Sequence, residues 1–147
     1  MLKVQAVVFD LDDTLYPEQA FVQSGFRAVS RYLRESGILR EDVYPLLWQK
    51  FCEGVRGTIF NEALKDLMVS PEEGLVGKMV AAYREHRPSI SLYQDSLPVL
   101  AWCACRFKTG LLSDGPALTQ QNKIIALGIR SFFNVVVLTD MLGREFW

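Results

Sequence analysis

Histidine is almost absent from this chain: His86 stands alone among 147 residues. Neither a histidine-based catalytic triad nor a multi-histidine metal centre has material here. Cysteine is scarce too, and Cys52, Cys103 and Cys105 form no zinc-type pairs. Cys103 and Cys105 lie two apart on an expected helix, facing away from each other, so the three read as buried free thiols in a reducing cytoplasm. No charge of one sign dominates: 16 basic residues face 17 acidic ones, for a net charge of −1. That excludes a field steering the protein to nucleic acid or anionic membranes. No apolar run approaches the roughly 20 residues of a membrane span, and no basic leader precedes a long hydrophobic stretch. What is abundant is apolar surface, at 50% of residues, in a chain long enough for a substantial core.

The most telling stretch is Val7-Val8-Phe9-Asp10-Leu11-Asp12-Asp13-Thr14-Leu15-Tyr16. The apolar run Val4 to Phe9 is too short for a buried helix and lacks polar alternation, so it reads as an interior parallel strand. Side chains two apart on an extended chain share a face. Asp10 and Asp12 are therefore expected on one side of the strand's C-terminal tip, with Leu11 turned to the core. In open α/β sheets that tip is where ligands bind. Two converging carboxylates suit either proton-sharing acid/base chemistry or a hard cation such as Mg²⁺. Asp-Asp-Thr also suits a helix cap or a turn.

After Tyr16-Pro17 the period changes to that of helices. Phe21, Phe26, Val29, Tyr32 and Leu33 make one apolar stripe ended by Ser36-Gly37. Further helices are expected over Val43 to Val55, Ile59 to Met68, and from a Ser70-Pro71-Glu72-Glu73 start to about Arg87, where Pro88 stops the last. A helix opening at Asp95-Ser96 and reaching about Cys105 then precedes a strand over Phe107 to Leu112. The next helix, Ala117 to Leu127, is closed by Gly128 and followed by a strand over Val135 to Leu138. This alternation predicts an α/β fold with a Rossmann-like parallel sheet of about three strands. Its core is expected from residues 1–16 and 92–147, interrupted by a helical insert over 17–91.

Phe9-Asp10-Leu11-Asp12-Asp13-Thr14-Leu15 resembles the first motif, DxDxT, of the haloacid dehalogenase superfamily. The resemblance implies that Asp10 is a nucleophile that becomes a transient aspartyl phosphate. It implies that Asp12 protonates the leaving oxygen and then activates water. An acid at Asp12 favours phosphoryl over carbon–halogen chemistry within that family. The insert resembles the family's helical cap, which closes over the aspartates and contacts substrate.

Leu111-Leu112-Ser113-Asp114-Gly115 resembles the second motif, so Ser113, Asp114 and Gly115 are candidates to bind the transferring phosphoryl group. Thr14, Lys123 and Arg56 are secondary candidates. Lys123 lies on the helix after Ser113, where family members often carry lysine, but a helix lysine usually faces solvent and Lys123 is expected there. The family's third-motif lysine follows a later strand, where this chain reads Thr139 to Trp147 with Arg144 as a poor stand-in. Of the family's Mg²⁺ ligands, Asp10 and Asp12 are present, and the acidic fourth motif has no counterpart.

Two readings follow, plus a lesser one. The resemblance implies a Mg²⁺-dependent phosphatase of a small phosphorylated metabolite, working through an aspartyl phosphate. The alternative is a truncated, catalytically impaired fragment whose open sheet edge is covered by a second chain or a missing C-terminal segment. A phosphomutase, using the same aspartates, is the third.

Overall fold

Val7, Val8 and Phe9 are β-branched or aromatic, and the chain here adopts the extended strand β1, Ala6–Phe9. The computed structural model describes residues 4–70 and 73–143. β1 pairs in parallel with β2, Lys108–Ser113, which pairs in parallel with β3, Val135–Leu138, giving the order β1-β2-β3. The registers Phe9↔Leu111 and Ser113↔Leu138 align the C-terminal tips of all three strands. The parallel α/β architecture expected from the alternating pattern is therefore present.

Alternation along these strands separates two faces. Thr109, Leu111, Ser113 and Leu138 are buried on one, with Phe9 set edge-on to Phe133 at 6.0 Å between ring centres. On the other, Val8 is 64% exposed, Val135 54% and Leu112 46%. The reading of Val4–Phe9 as an interior strand is thus corrected. Among the described residues β1 has one neighbour, and Val4 and Val8 lie open. A continuous apolar run signals burial on both faces, but burial needs a second covering layer.

Helix α5, Ser96–Ala104, and α6, Ala117–Leu127, flank β2 in the chain. Ser96 Oγ donates to the Leu15 carbonyl at 2.9 Å, and the Tyr93 N–H donates to the same oxygen at 3.0 Å. These bonds tie the loop after β1 to the start of α5. β3 is locked to β2 by Asn134, whose side-chain oxygen accepts from the Thr109 N–H at 2.8 Å while its own N–H donates to the Thr109 carbonyl at 2.9 Å. Gly128 ends α6 at φ 67, a left-handed cap only glycine takes without strain.

The chain divides into two compact units, residues 1–21 with 87–147 and residues 22–86. The second holds most of α1, Glu18–Glu35, with α2, Tyr44–Cys52, α3, Ile59–Asp66, and α4, Leu75–Glu85. Its core is built on Phe26, Val29, Leu33, Leu47, Leu64 and Met79. Phe26 is the hub, with the rings of Phe51, Phe60 and Tyr83 at 6.1, 6.3 and 5.7 Å. Ser30 Oγ donates to Asp42 at 2.7 Å and accepts the Val43 N–H at 3.0 Å, fixing the entry to α2. α4 begins at Leu75 after a left-handed Gly74, rather than at the Ser70 cap that the sequence signals, whose Pro71 and Glu72 lie outside the described residues. Gly74 interrupts the helical path between that cap and the Leu75 face. The thiols are corrected as well: Cys103 is buried, but Cys52 and Cys105 are exposed.

Candidate active site

Both acids leave the chain just past β1, and each is met by a hydroxyl four residues on. Thr14 Oγ1 donates to Asp10 Oδ2 at 3.1 Å, and the Tyr16 hydroxyl donates to Asp12 Oδ1. One turn creates both contacts: the Leu15 N–H donates to the Leu11 carbonyl at 3.0 Å, which stacks residues four apart. Leu11, fully buried, anchors that turn. Asp13 sits at φ 52 and accepts the Glu18 N–H at 2.8 Å, closing the start of α1. Among the three residues Asp12, Asp13 and Thr14, the capping role falls to Asp13.

Asp10 is exposed, and among the described residues its hydrogen-bond partner is Thr14. Asp12 has a different environment. Its Oδ1 lies 2.7 Å from the Lys123 ammonium, and its Oδ2 accepts from Gln120 Nε2 at 2.8 Å. The Lys123 side chain is only 5% exposed against 24% for Asp12. The solvent-facing expectation for Lys123 is therefore wrong. α6 turns this face inward, where Lys123 lies 4.3 Å from the Phe21 ring centre. The ammonium is satisfied there by a carboxylate and an aromatic face, which is what makes its burial affordable.

Ser113, 1% exposed, closes β2. Gln120 Nε2 reaches its Oγ at 2.7 Å and the Asp114 carbonyl at 2.6 Å. The amide thus faces three oxygens with two protons. Two of them, the Asp12 carboxylate and the Asp114 carbonyl, can only accept, which fixes the orientation of the amide. Gln120 Oε1 is left buried without a hydrogen-bond partner among the described residues, a cost of about 1–3 kcal/mol.

Asp114 points its carboxylate elsewhere. Thr139 Oγ1 donates to it at 2.5 Å, and with the Gly115 N–H holds that carboxyl below the usual carboxylate range. Gly115 has φ 110, a conformation that side-chain-bearing residues rarely adopt. The side chain of Asp114 is thus part of the link from β2 to the Thr139–Leu142 turn after β3.

Arg56 belongs to the helical unit. Its guanidinium donates to the Phe51 and Val55 carbonyls at 2.7 and 2.8 Å and lies 3.7 Å from the Phe51 ring centre. It closes the end of α2 and lines a cavity of about 240 Å³ with Phe26, Phe60 and Tyr83. Arg144 lies outside the described residues.

Two site residues escaped the sequence reading. Tyr16, fully buried, repeats from Asp12 the four-residue offset of Thr14 from Asp10. Gln120 precedes Lys123 by three positions, the spacing of neighbours on one helix face. The offset from Asp12 was available in the sequence for Tyr16, whereas the offset from Lys123 points to Gln120 only once Lys123 is seen to face inward.

Among the described residues no group of three or more His, Cys, Asp or Glu side chains is placed to hold a metal ion. Asp10 suits a hard cation, with an exposed carboxylate. The Asp12 carboxylate does not, because Lys123, Tyr16 and Gln120 already engage both its oxygens.

Two acids thus lie just past the tip of the first parallel strand and a buried hydroxyl lies at the tip of the second, the place where α/β folds bind ligands. The family model of haloacid dehalogenase-like hydrolases matches residues 7–145, and the chain belongs to that family. A glyceraldehyde 3-phosphate phosphatase of Methanopyrus kandleri is 31% identical over 150 residues, which cover 97% of this chain and 64% of that protein. A glyceraldehyde 3-phosphate phosphatase of Methanothermobacter thermautotrophicus is 28% identical, over 97% of this chain and 66% of that one. The chain thus spans just under two thirds of the length of these relatives. The magnesium-bound HAD hydrolase YfnB of Bacillus subtilis shares the fold with a TM-score of 0.61 at 20% identity, over 95% of this chain and 65% of that one.

Proposed function

We propose that this chain carries the phosphoryl-transfer residues of a cytoplasmic phosphatase acting on a small phosphomonoester. The observation that carries this reading is the pairing of an exposed, Thr14-oriented Asp10 with a second acid two residues on that is held by three donors. The phosphatase relatives support a small phosphorylated metabolite of the triose phosphate kind as substrate. The helical insert of residues 17–91 is proposed as the part that selects it.

Asp10 Oδ1 attacks phosphorus in line with the leaving oxygen, forming an O–P bond as the ester P–O bond breaks. In the substrate complex Asp12 carries one proton, taken up from solvent, and gives it to the departing alkoxide. Asp12, now anionic, takes a proton from water, whose oxygen attacks the aspartyl phosphate and releases inorganic phosphate with Asp10 restored. The Ser113 hydroxyl donates to a phosphoryl oxygen where charge accumulates. Lys123 and Tyr16 hold Asp12 in place between the two half-reactions. Mg²⁺, held by the Asp10 carboxylate and the main-chain carbonyl of Asp12, would offset phosphoryl charge when bound.

Turnover of an aryl phosphate by the full chain with Mg²⁺, compared with Asp10→Asn and with EDTA, tests the reading. Turnover abolished by Asp10→Asn supports it, and turnover indifferent to that change overturns it. A second reading is favoured by β1 having one strand neighbour among the described residues: a catalytically impaired chain whose sheet edge is covered by a partner chain. Absence of Asp10-dependent turnover, together with self-association that Val8→Lys weakens, would select it.

A further inference from the structure

Resting on the phosphatase reading, we infer that Gln120 is a positioning residue of this site, acting through Ser113 to aim a hydroxyl proton at the phosphoryl group. Gln120 is 1% exposed, on the first turns of α6, and its amide is the common neighbour of Asp12, Ser113 and Asp114. The Asp12 carboxylate and the Asp114 carbonyl fix which end of the amide faces inward, because neither can donate. Ser113 Oγ therefore meets an N–H and is used as an acceptor on that side. Its own proton has no acceptor among the described residues and is left to a ligand oxygen.

The Gln120 Oε1, buried and without a hydrogen-bond partner among the described residues, strengthens the argument. A glutamine serving packing alone would be replaced at no loss by a methionine of the same length, and its buried carbonyl would not be left unmatched. The same amide holds Asp12 Oδ2, so one side chain sets both the phosphoryl donor and the angle of the acid. Its position seven residues after Ser113 gives the arrangement rigidity, since both lie on elements joined by a single short turn.

The test uses the full chain and two probes: inorganic phosphate, with Kd from calorimetry, and an aryl phosphate, with kcat and KM. Gln120→Met should weaken phosphate binding about tenfold and lower kcat as well, while Gln121→Met, its exposed neighbour, changes neither. Ser113→Ala should weaken phosphate binding by a similar factor, and the double variant by little more than either single one, because both losses pass through one hydroxyl. If Gln120→Met does not melt cooperatively, Gln120→Glu, of the same shape but no longer a donor when ionised, takes its place. Multiplying losses in the double variant, or phosphate binding unchanged by Gln120→Met, overturns the inference while leaving the phosphatase reading intact. Phosphate binding that depends on Gln120 without any Asp10-dependent turnover upholds the inference and removes the phosphatase reading. A wild-type chain that neither binds phosphate nor turns over the ester overturns both.

Discussion

The Lys123 ammonium lies 2.7 Å from Asp12 Oδ1, and this pair joins the middle of α6 to the loop that follows β1. Over 111 residues of separation it fixes the acid that the proposed chemistry uses twice. Lysine is suited to the place because a compact ammonium fits between a carboxylate and the Phe21 ring.

Lys123→Met should cost stability, because Asp12 would keep its charge and lose its cation. Removing one partner of a fully buried pair costs about 3–5 kcal/mol. Asp12 retains 24% exposure, so about 1–3 kcal/mol is expected here. Urea unfolding measures it, and Lys123→Arg should recover little of it. A loss below about 0.5 kcal/mol would mean that the pair behaves as a surface contact.

Tyr16→Phe removes one oxygen from a fully buried ring and leaves the packing intact. It should lower stability by about 0.5–1.5 kcal/mol, the net value of one hydrogen bond. Because the lost bond is to Asp12, kcat for an aryl phosphate should fall more than KM rises. Equal kcat for the two proteins would show that Tyr16 only packs.

Gly25→Ala tests the helical unit. A Cβ at residue 25 would stand 2.5 Å from two ring carbons of Tyr83, inside any real contact distance. The ring is also held against Phe26 and Phe60, so it cannot simply swing away. A loss of about 1–3 kcal/mol from overpacking is expected, outweighing the gain in helix propensity of about 1 kcal/mol. Thermal melting of the variant reads this directly, and a rise in Tm would refute the packing argument.

Acid should weaken the fold through Asp42 and Asp114. Ser30 Oγ and the Tyr44 N–H hold the Asp42 carboxyl below its ordinary 3.8, and Thr139 with Gly115 does the same for Asp114. A lowered folded-state pKa gives stability that is present above the unfolded value and lost as pH falls through the folded one. Tm should therefore drop as pH falls below about 4, and Asp42→Asn should flatten that slope. Lys50 acts in the opposite sense. Asp66, 2.6 Å away, raises the Lys50 ammonium above 10.5, so its contribution is present below that pH and fades as pH rises past it. Melting curves from pH 2.5 to 11 for the parent and Lys50→Met, with the alkaline loss confined to the parent, would bear this out.

Sequence alone determined what depends on neighbours along the chain. The short apolar run into Asp10 and Asp12, the helical stripe of Phe26, Val29 and Leu33, and the Gly128 stop each follow from local sterics and short-range spacing. That is why the element order, the parallel sheet and the strand-tip acids were legible. Tertiary structure decided what depends on residues far apart in sequence. Whether Lys123 faces water or Asp12 is set by which side of α6 meets the core, and no spacing within α6 states that. The same holds for the Gln120 amide, for the exposure of Cys52 and Cys105, and for Val8. Burial is a property of the layers that assemble around a residue. A strand or helix can announce its own geometry but not its neighbours.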